Sequence, residues 1–300
     1  FKLNMQYNKT KPKWSQQKQS DPPFFGKATR VPNFILNLII LIRQKKLEKY
    51  YNFEKTYNNK IDNFISIVIL TCKRVNTLER LLKSLKIYLE KIEKYKDYEI
   101  ILVDNGTNLN DIKNISKDKI FSKYIRFEEN IGMLNALKIA FNSCNGEFIM
   151  LIEDDFIIDY KKPFFKNCID LFKSKKEIGI IRLKNQNNWF KRSRMISYKK
   201  KTKSNLYFWY WLPSLDKKKN VWAAGSVIFR KASIDYLGGL PTYKNLPRNN
   251  KNHQGIIYEY KFGKKFNKLF LAAKLENCYP FFQPNDNEVS PGWNDLYEPK

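Results

Sequence analysis

Hydrophobic and polar positions follow two alternating patterns through the first half of the chain. Short, nearly continuous apolar runs are typical of strands buried on both faces, and between them apolar side chains recur at the helical period. The predicted strands are 64–70, 98–103, 123–127 and 147–152, and the predicted helices are 76–90 and 132–143. Strands that alternate with helices predict an α/β fold, with a mostly parallel, Rossmann-like sheet and helices on both faces.

The second half of the chain has a less regular pattern. The predicted helices there are 163–174, 231–237 and 254–267, and the predicted strands are 178–183, 226–229 and 269–275. Residues 185–222 mix aromatic, Lys and Asn residues without a clear period, so this segment is either functional or contains elements that the pattern does not show. Within it, Trp209, Trp211 and Trp222 either line an acceptor site or pack in the core.

The N-terminal residues differ in character from the rest. Residues 1–30 are polar and predict a loose arm, whereas residues 31–50 predict one helix with an apolar face. That helix packs on the main domain, which is the favoured interpretation, or makes peripheral contact with a membrane surface. No apolar run reaches the roughly 20 residues of a membrane span, so the expected location is cytoplasmic, peripheral to a membrane if 31–50 binds one.

These patterns divide the chain into an extension and one domain. The predicted parts are an N-terminal extension with one helix (1–60) and a domain (61–300) with two halves, 61–155 and 156–300.

The formal net charge of +27 suggests a nucleic acid or an anionic membrane as partner. However, most of the 56 basic residues are lysines spread through the chain. Arg, the better bidentate ligand of phosphate and guanine, is scarce. We therefore predict no nucleic-acid partner. The four cysteines are widely spaced, which disfavours a zinc site or a disulfide framework and predicts buried thiols.

The strand at 147–152 ends in three consecutive acids, Glu153, Asp154 and Asp155. Such acids repel one another and are costly to desolvate unless a cation lies among them. Mg²⁺ and Mn²⁺ prefer carboxylate and phosphate oxygens. The segment therefore predicts a metal site for a phosphorylated ligand, and the alternative is an acidic loop that caps the next helix.

Five short motifs occur in a characteristic order. They are Leu-Thr-Cys-Lys-Arg at 70–74, Val-Asp-Asn-Gly-Thr at 103–107, Asn-Ile-Gly-Met-Leu-Asn-Ala at 130–136, the segment 146–155 that ends in the acids, and Gly-Ser-Val-Ile-Phe-Arg at 225–230. Together they make residues 64–275 resemble a GT-A glycosyltransferase, closest to the family 2 type. The resemblance implies a nucleotide-diphospho sugar donor, a UDP-sugar, and a Mn²⁺ or Mg²⁺ cofactor. The acceptor would be a glycan, a protein or a lipid. By this resemblance, 61–155 would be the nucleotide-binding half of the domain and 156–300 the acceptor-binding half.

The resemblance also implies roles for individual residues. Asp155 would be the direct metal ligand with Glu153 beside it, although the family more often has Asp at the position of Glu153. The implied donor-binding residues are Thr71, Arg74, Asp104, Asn130, Gly132, Asn135 and Asp154.

Two of these assignments have simpler structural alternatives. Asp104 follows a buried strand and can accept hydrogen bonds from a base or a ribose, but Asp-Asn-Gly is also an ordinary turn. Asn130 and Gly132 lie where the chain enters a helix whose N-terminus can face the donor, or they only cap that helix.

An inverting transfer requires a base that takes the proton from the acceptor hydroxyl. The resemblance points to Glu259, the only acid between residues 236 and 275. The family typically has a pair of acids in this segment, and this chain lacks the pair. His253, the only histidine, is a second candidate base, and a surface charge is the structural alternative for Glu259.

Three other functions are compatible with parts of the sequence. A nucleotidyltransferase on a similar sheet would carry a Gly-rich loop after the first strand, and residues 71–75 lack glycine. A basic, non-enzymatic RNA-binding protein would have no use for the acid triplet. A degenerate glycosyltransferase would bind a donor without turnover.

Overall fold

The computed structural model describes residues 33–57, 60–183, 196–212, 225–241 and 262–282. Its strands are β1 (Ile61–Thr71), β2 (Tyr98–Asn105), β3 (Lys123–Phe127), β4 (Gly146–Glu153), β5 (Ile157–Ile158), β6 (Ile178–Arg182), β7 (Ile196–Lys201), β8 (Tyr207–Leu212), β9 (Val227–Arg230), β10 (Leu271–Leu275) and β11 (Phe281–Phe282). Its helices are α1 (Asn33–Lys46), α2 (Glu48–Thr56), α3 (Val75–Lys91), α4 (Leu109–Ser116), α5 (Met133–Asn142), α6 (Phe165–Ser174) and α7 (Lys231–Tyr236).

Within the described residues, nine strands form one sheet in the order β3-β2-β1-β4-β9-β6-β10-β8-β7. Strands β3, β2, β1 and β4 run parallel, and β6 and β10 form a second parallel pair. Strand β9 is antiparallel to both β4 and β6, so those two strands point the same way. The carboxyl ends of β1, β2 and β4 therefore share one edge, which we call the carboxyl edge.

Helices cover both faces of this sheet. Apolar side chains of α1, α3, α4 and α6 pack on one face, and those of α2, α5 and α7 pack on the other. On α3 the buried residues Leu78, Leu81, Leu85 and Leu89 recur at the helical period, as the sequence predicts. The predicted arrangement, a mostly parallel sheet with helices on both faces, is confirmed.

The segment 185–222 contains a β-hairpin that the sequence pattern did not reveal. Strands β7 and β8 pair antiparallel and extend the sheet beyond β10. On β8, Phe208 and Tyr210 are buried whereas Tyr207 and Trp209 are more exposed, so the alternation is present but every position is aromatic. Helix α4 and the short strand β5 were not predicted either. Trp222 lies outside the described residues.

The predicted helix at 31–50 is divided in two. Helix α1 ends at Lys46, and α2 begins at Glu48 after the buried Leu47. Leu36 and Ile40 of α1 and Tyr50 of α2 belong to the core, so one face of this segment packs on the domain. In the described parts of the chain, no helix combines the length and the apolar character needed to cross a bilayer.

The four cysteines are buried and free, as predicted. The helix predicted at 254–267 is described only from 262, where residues 262–267 are helical.

Candidate active site at the carboxyl edge

Three polar side chains lie side by side where β1, β2 and β4 end. Thr71 is paired in register with Asp104, and Leu70 is paired with Glu153, which places Asp154 beside Thr71. The Thr71 hydroxyl donates to Asp154 Oδ2 at 2.8 Å. All three side chains are buried, so the sheet brings predicted residues from three separate motifs to one place.

Arg74 supplies a positive charge to the acids. It follows β1 directly and precedes α3, and its guanidinium contacts Asp154 and lies 3.4 Å from Asp155 Oδ2. Arg74 therefore provides part of the positive charge that these acids require, and the metal ion that the sequence predicts among them stays a prediction.

Burial raises the pKa of Asp154 to about 6. The charge of Arg74 and the hydrogen bond from Thr71 act in the opposite direction, and nearby Asp155 adds to the rise. Burial therefore outweighs the guanidinium and the hydroxyl together. At neutral pH Asp154 is mostly ionised, and its neutral fraction grows as the pH falls below about 6.

Asp104 is held by its own turn and by the neighbouring strand. Its Oδ1 accepts from the Thr107 backbone N–H at 2.9 Å, and its Oδ2 accepts from the Tyr124 hydroxyl at 3.1 Å. Arg126 Nε lies 3.6 Å from the same Oδ2. The turn role weighed for Asp104 is thus present in the structure, and its contact with a donor stays a prediction.

The sequence analysis missed Tyr124 and Arg126 as partners of Asp104. Both lie on β3, which is paired with β2 so that Arg126 is opposite Asp104. Their spacing of two residues on the predicted strand 123–127 puts them on one face, and only the pairing with β2 identifies what they contact.

The beginning of α5 is tied to the end of β2 by amide hydrogen bonds. Asn130 Oδ1 accepts from Asn105 Nδ2 and from the Gly132 N–H, each at 2.8 Å. Asn105 Oδ1 accepts from the Ile131 N–H at 3.0 Å, and Asn135 Nδ2 donates to the Ile131 carbonyl. The predicted residues Asn130, Gly132 and Asn135 thus shape the turn into α5, so the structural role weighed for them is present. Their donor contacts stay predictions.

Two glycines allow this part of the edge to form. Gly132 begins α5 with φ +87°, a conformation that favours glycine. Gly106 has φ +90°, and a Cβ there would lie 2.5 Å from the backbone nitrogen of Asn130. A larger residue at 106 would push the turn after β2 away from the loop that leads into α5.

Glu153 contacts a different part of the structure from Asp154. A Cβ on Gly225 would lie 2.5 Å from Glu153 Oε2, so this side chain packs directly over the Gly225 backbone just before β9. Gly225 has φ +95°, which also favours glycine. The last two of the five motifs therefore meet through this contact.

The carboxylates of Asp155 and Glu153 suit a hard divalent cation. The Asp155 side chain is 17% exposed, and Glu153 is half-buried. No group of three His, Cys, Asp or Glu side chains placed to hold a metal occurs in the described ranges. Magnesium-type ions are often held by one or two carboxylates plus substrate phosphates, so two protein ligands fit such an ion when a diphosphate completes the set.

The predicted base, Glu259, and its alternative, His253, lie outside the described residues. The base assignment stays a prediction.

A comparison with protein families decides the class of the protein. The family described as Glycosyl transferase family 2 matches residues 66–235, more than half of the chain. The chain belongs to glycosyl transferase family 2. The matched residues include Thr71, Arg74, Asp104, Asp154 and Asp155, the groups that meet at the carboxyl edge. The GT-A fold class and the glycosyltransferase class predicted from the sequence are therefore confirmed.

Curated relatives of this family 2 protein match over a shorter stretch. It is 27% identical over 111 residues to the poly-beta-1,6-N-acetyl-D-glucosamine synthase of Staphylococcus aureus, a match that covers 35% of the chain and 26% of the relative. It is 28% identical over 112 residues to the enzyme of that name in Staphylococcus epidermidis, with the same coverage. The chain thus spans about a quarter of the length of the curated relatives it matches.

Solved structures show a distant likeness to this family 2 protein. A crystal structure of Staphylococcus aureus TarS 1–349 is 14% identical, with a TM-score of 0.48, and covers 73% of this chain and 59% of that one. The mannosyltransferase PcManGT from Pyrobaculum calidifontis, in complex with GDP-Man and Mn²⁺, is also 14% identical, with a TM-score of 0.42 and coverages of 69% and 60%.

Proposed function

We propose that this family 2 glycosyltransferase moves a sugar from a UDP-sugar to a hydroxyl group on a glycan, protein or lipid acceptor, with inversion and with the help of Mn²⁺ or Mg²⁺. The observation that carries the proposal is the group formed by Asp104, Thr71, Asp154 and Arg74 at the carboxyl edge. Nucleotides bind in open α/β sheets just outside this edge.

Different residues of the chain would bind the nucleoside and the diphosphate of the donor. Asp104 lies at the end of β2, where its carboxylate can accept a hydrogen bond from the base or the ribose. That bond would replace the one that Asp104 now accepts from the Tyr124 hydroxyl. Arg74 places a guanidinium beside Asp155, where it can also pair with a diphosphate oxygen. The N-terminus of α5 adds backbone N–H groups on the same edge.

Asp155, with Glu153, would hold the divalent cation. When bound, such an ion supplies positive charge that stabilises the leaving nucleoside diphosphate, an effect worth several kcal/mol. Glu259 would take the proton from the acceptor hydroxyl as it attacks the anomeric carbon. The name of the staphylococcal relatives makes UDP-N-acetylglucosamine the first donor to test.

The metal assignment is tested by replacing Asp155. We expect Asp155→Ala to lower Mn²⁺-stimulated UDP release from the donor by about 100-fold or more, because the ion loses its main protein ligand. The matched control is Asp159→Ala, which removes an exposed carboxylate four residues later and should leave the rate within about twofold. Equal, metal-dependent rates in Asp155→Ala and the unmodified protein would contradict the assignment.

The same assay tests the base. We expect Glu259→Gln to keep donor binding, measured as a thermal shift with UDP, while transfer to acceptor falls about 100-fold. His253→Gln serves as the comparison, since it removes the second candidate base. Loss of transfer in His253→Gln alone would move the role to the histidine.

A further inference from the structure

Helix α1 exposes a stripe of large apolar side chains. Phe34, Leu38, Leu41 and Ile42 are 70%, 53%, 59% and 46% exposed. They share one helix face, because residues four and seven apart lie above one another. Nine large apolar side chains are strongly exposed in the described residues, and four of them lie on this 14-residue helix. We call these four residues the α1 stripe.

The α1 stripe is not the face that holds the helix on the domain. Leu36 and Ile40 point the other way and are buried in the core. Helix α1 is therefore apolar on two opposite faces. One face completes the core, and the other has no packing role among the described residues.

Basic residues continue the stripe toward α2. Lys45 lies eleven residues after Phe34, on the same helix face, and Lys46 and Lys49 follow; all three are exposed. The chain carries a formal charge of +27. An apolar stripe flanked by lysines complements the surface of an anionic bilayer, in which acyl chains lie beneath negative headgroups.

We propose that the α1 stripe is a membrane-binding surface that inserts into the interface of an anionic bilayer. A helix of 14 residues is about 21 Å long, which suits a helix that lies in the plane of the interface. Phe34, Leu38, Leu41 and Ile42 enter the acyl boundary, and Lys45, Lys46 and Lys49 contact the headgroups. This proposal does not depend on the sugar donor or on the metal.

The helix that follows the α1 stripe is anchored away from the carboxyl edge. Helix α2, which continues from α1, is bound through Glu54 to Arg230 at the end of β9 and to Lys176 just before β6. These positions belong to the amino edge of the parallel strands, opposite the carboxyl edge. None of the four stripe residues belongs to the candidate site, so membrane binding and sugar transfer can be changed separately by mutation.

The experiment is co-sedimentation of the full 300-residue chain with vesicles of phosphatidylcholine, with or without phosphatidylserine. We expect binding to the phosphatidylserine vesicles that weakens with added salt, because the lysines contribute electrostatically. The triple variant Phe34→Ser/Leu38→Ser/Leu41→Ser should lose about tenfold or more in vesicle affinity, because it removes the inserted apolar area.

A second triple variant is the matched control. Ile87→Ser/Leu109→Ser/Ile139→Ser removes three exposed apolar side chains from other helices and should bind vesicles like the unmodified chain. Circular dichroism and UDP thermal shifts verify that both variants are folded. The proposal is overturned if the unmodified chain does not bind phosphatidylserine vesicles or if the stripe variant binds them with the same affinity as the unmodified chain. A stripe variant that changes only its oligomeric state in light scattering would likewise overturn it, in favour of a second copy on this face.

Discussion

Lys274 is a buried cation in the half of the sheet that lies beyond the candidate site. Its Nζ lies 3.7 Å from the centroid of the Tyr279 ring, and within the described residues no carboxylate lies at ion-pair distance from it. Burial, followed by the charge of Arg182, lowers the pKa of Lys274 to about 7. The ring attracts the ammonium group but does not offset the loss of water around it.

The expected consequence of Lys274 is a stability that rises with pH. In the unfolded chain the lysine titrates near 10.5, so between about pH 7 and 10.5 the unfolded state binds more protons, and raising the pH favours folding. Lys274→Met removes this dependence. We expect the variant to be more stable than the unmodified protein by a few kcal/mol near pH 6, with a smaller gain near pH 9.

Urea unfolding at these two pH values measures the effect. Lys161→Met is the control, because Lys161 is 83% exposed and its removal should change neither value by more than about 0.5 kcal/mol. Parallel pH profiles for the unmodified protein and Lys274→Met would show that the ammonium group is not desolvated.

At the scale of elements, the turn after β2 fixes where α5 begins. Gly106 and Gly238 have almost the same backbone dihedral φ, +90° and +87°. They differ in surroundings, since a Cβ at 106 would meet the backbone of Asn130 and Glu129, whereas a Cβ at 238 would meet nothing within 4 Å. Substituting each glycine by alanine therefore separates the free-energy cost of a positive φ, which both share, from the cost of a steric clash, which only Gly106 has.

We expect Gly238→Ala to cost about 1–2 kcal/mol of unfolding free energy, which is the strain of a side chain in the left-handed region. Gly106→Ala should cost clearly more and should weaken UDP binding, because the loops that carry Asp104 and Asn130 are forced apart. Chemical denaturation and a UDP titration measure the two quantities. Similar stability losses in the two variants would mean that the Asn130 loop moves aside easily.

A helix or strand was predictable where the burial of one face makes its apolar residues recur at a single period. The predicted bounds of α3 agree with the structure to within one residue at each end, since its apolar positions repeat cleanly. The hairpin β7–β8 escaped prediction because β8 has no polar position to mark its exposed side and β7 ends in three consecutive lysines, so neither strand alternates between apolar and polar residues. The division of the N-terminal helix at Leu47 has no sequence signal, because Leu is a good helix former.

At the scale of the whole molecule, one buried arginine joins the N-terminal helices to the sheet. Arg230 is fully buried, and its guanidinium lies 3.0 Å from Glu54 of α2 and 3.6 Å from Glu147 of β4. It also lies over the rings of Phe148 and Phe172. Burial alone would raise the pKa of Glu54, but Arg230 and Lys176 hold it below its usual value.

We expect Arg230→Met to cost about 3–5 kcal/mol of unfolding free energy, because two buried carboxylates lose their shared cation. Lys166→Met, which breaks an exposed pair with Asp170, should cost about 0.5 kcal/mol or less. A double-mutant cycle with Glu54→Gln, measured by urea unfolding, isolates the bond between α2 and β9. A coupling energy near zero would mean that α2 is held by its apolar contacts alone.

The candidate site was predictable as a set of motifs but not as a network. Thr71, Asp104 and Asp154 follow buried strands, and parallel strands bring such positions together. Their partners Tyr124 and Arg126 depend on the register of β3, and the pairing of Arg74 with the acids depends on how the chain turns after β1. Register and turn geometry arise from tertiary contacts, which one sequence does not display.

The contact of Arg74 with Asp154 and Asp155 bears on how the protein matures. A site whose acids depended on an ion would fold poorly whenever metal was scarce. Here the guanidinium of Arg74 already neutralises part of their charge, so the sheet can fold without the ion that we propose for this site. If the proposed metal dependence holds, a chelator should abolish sugar transfer and leave the melting temperature unchanged.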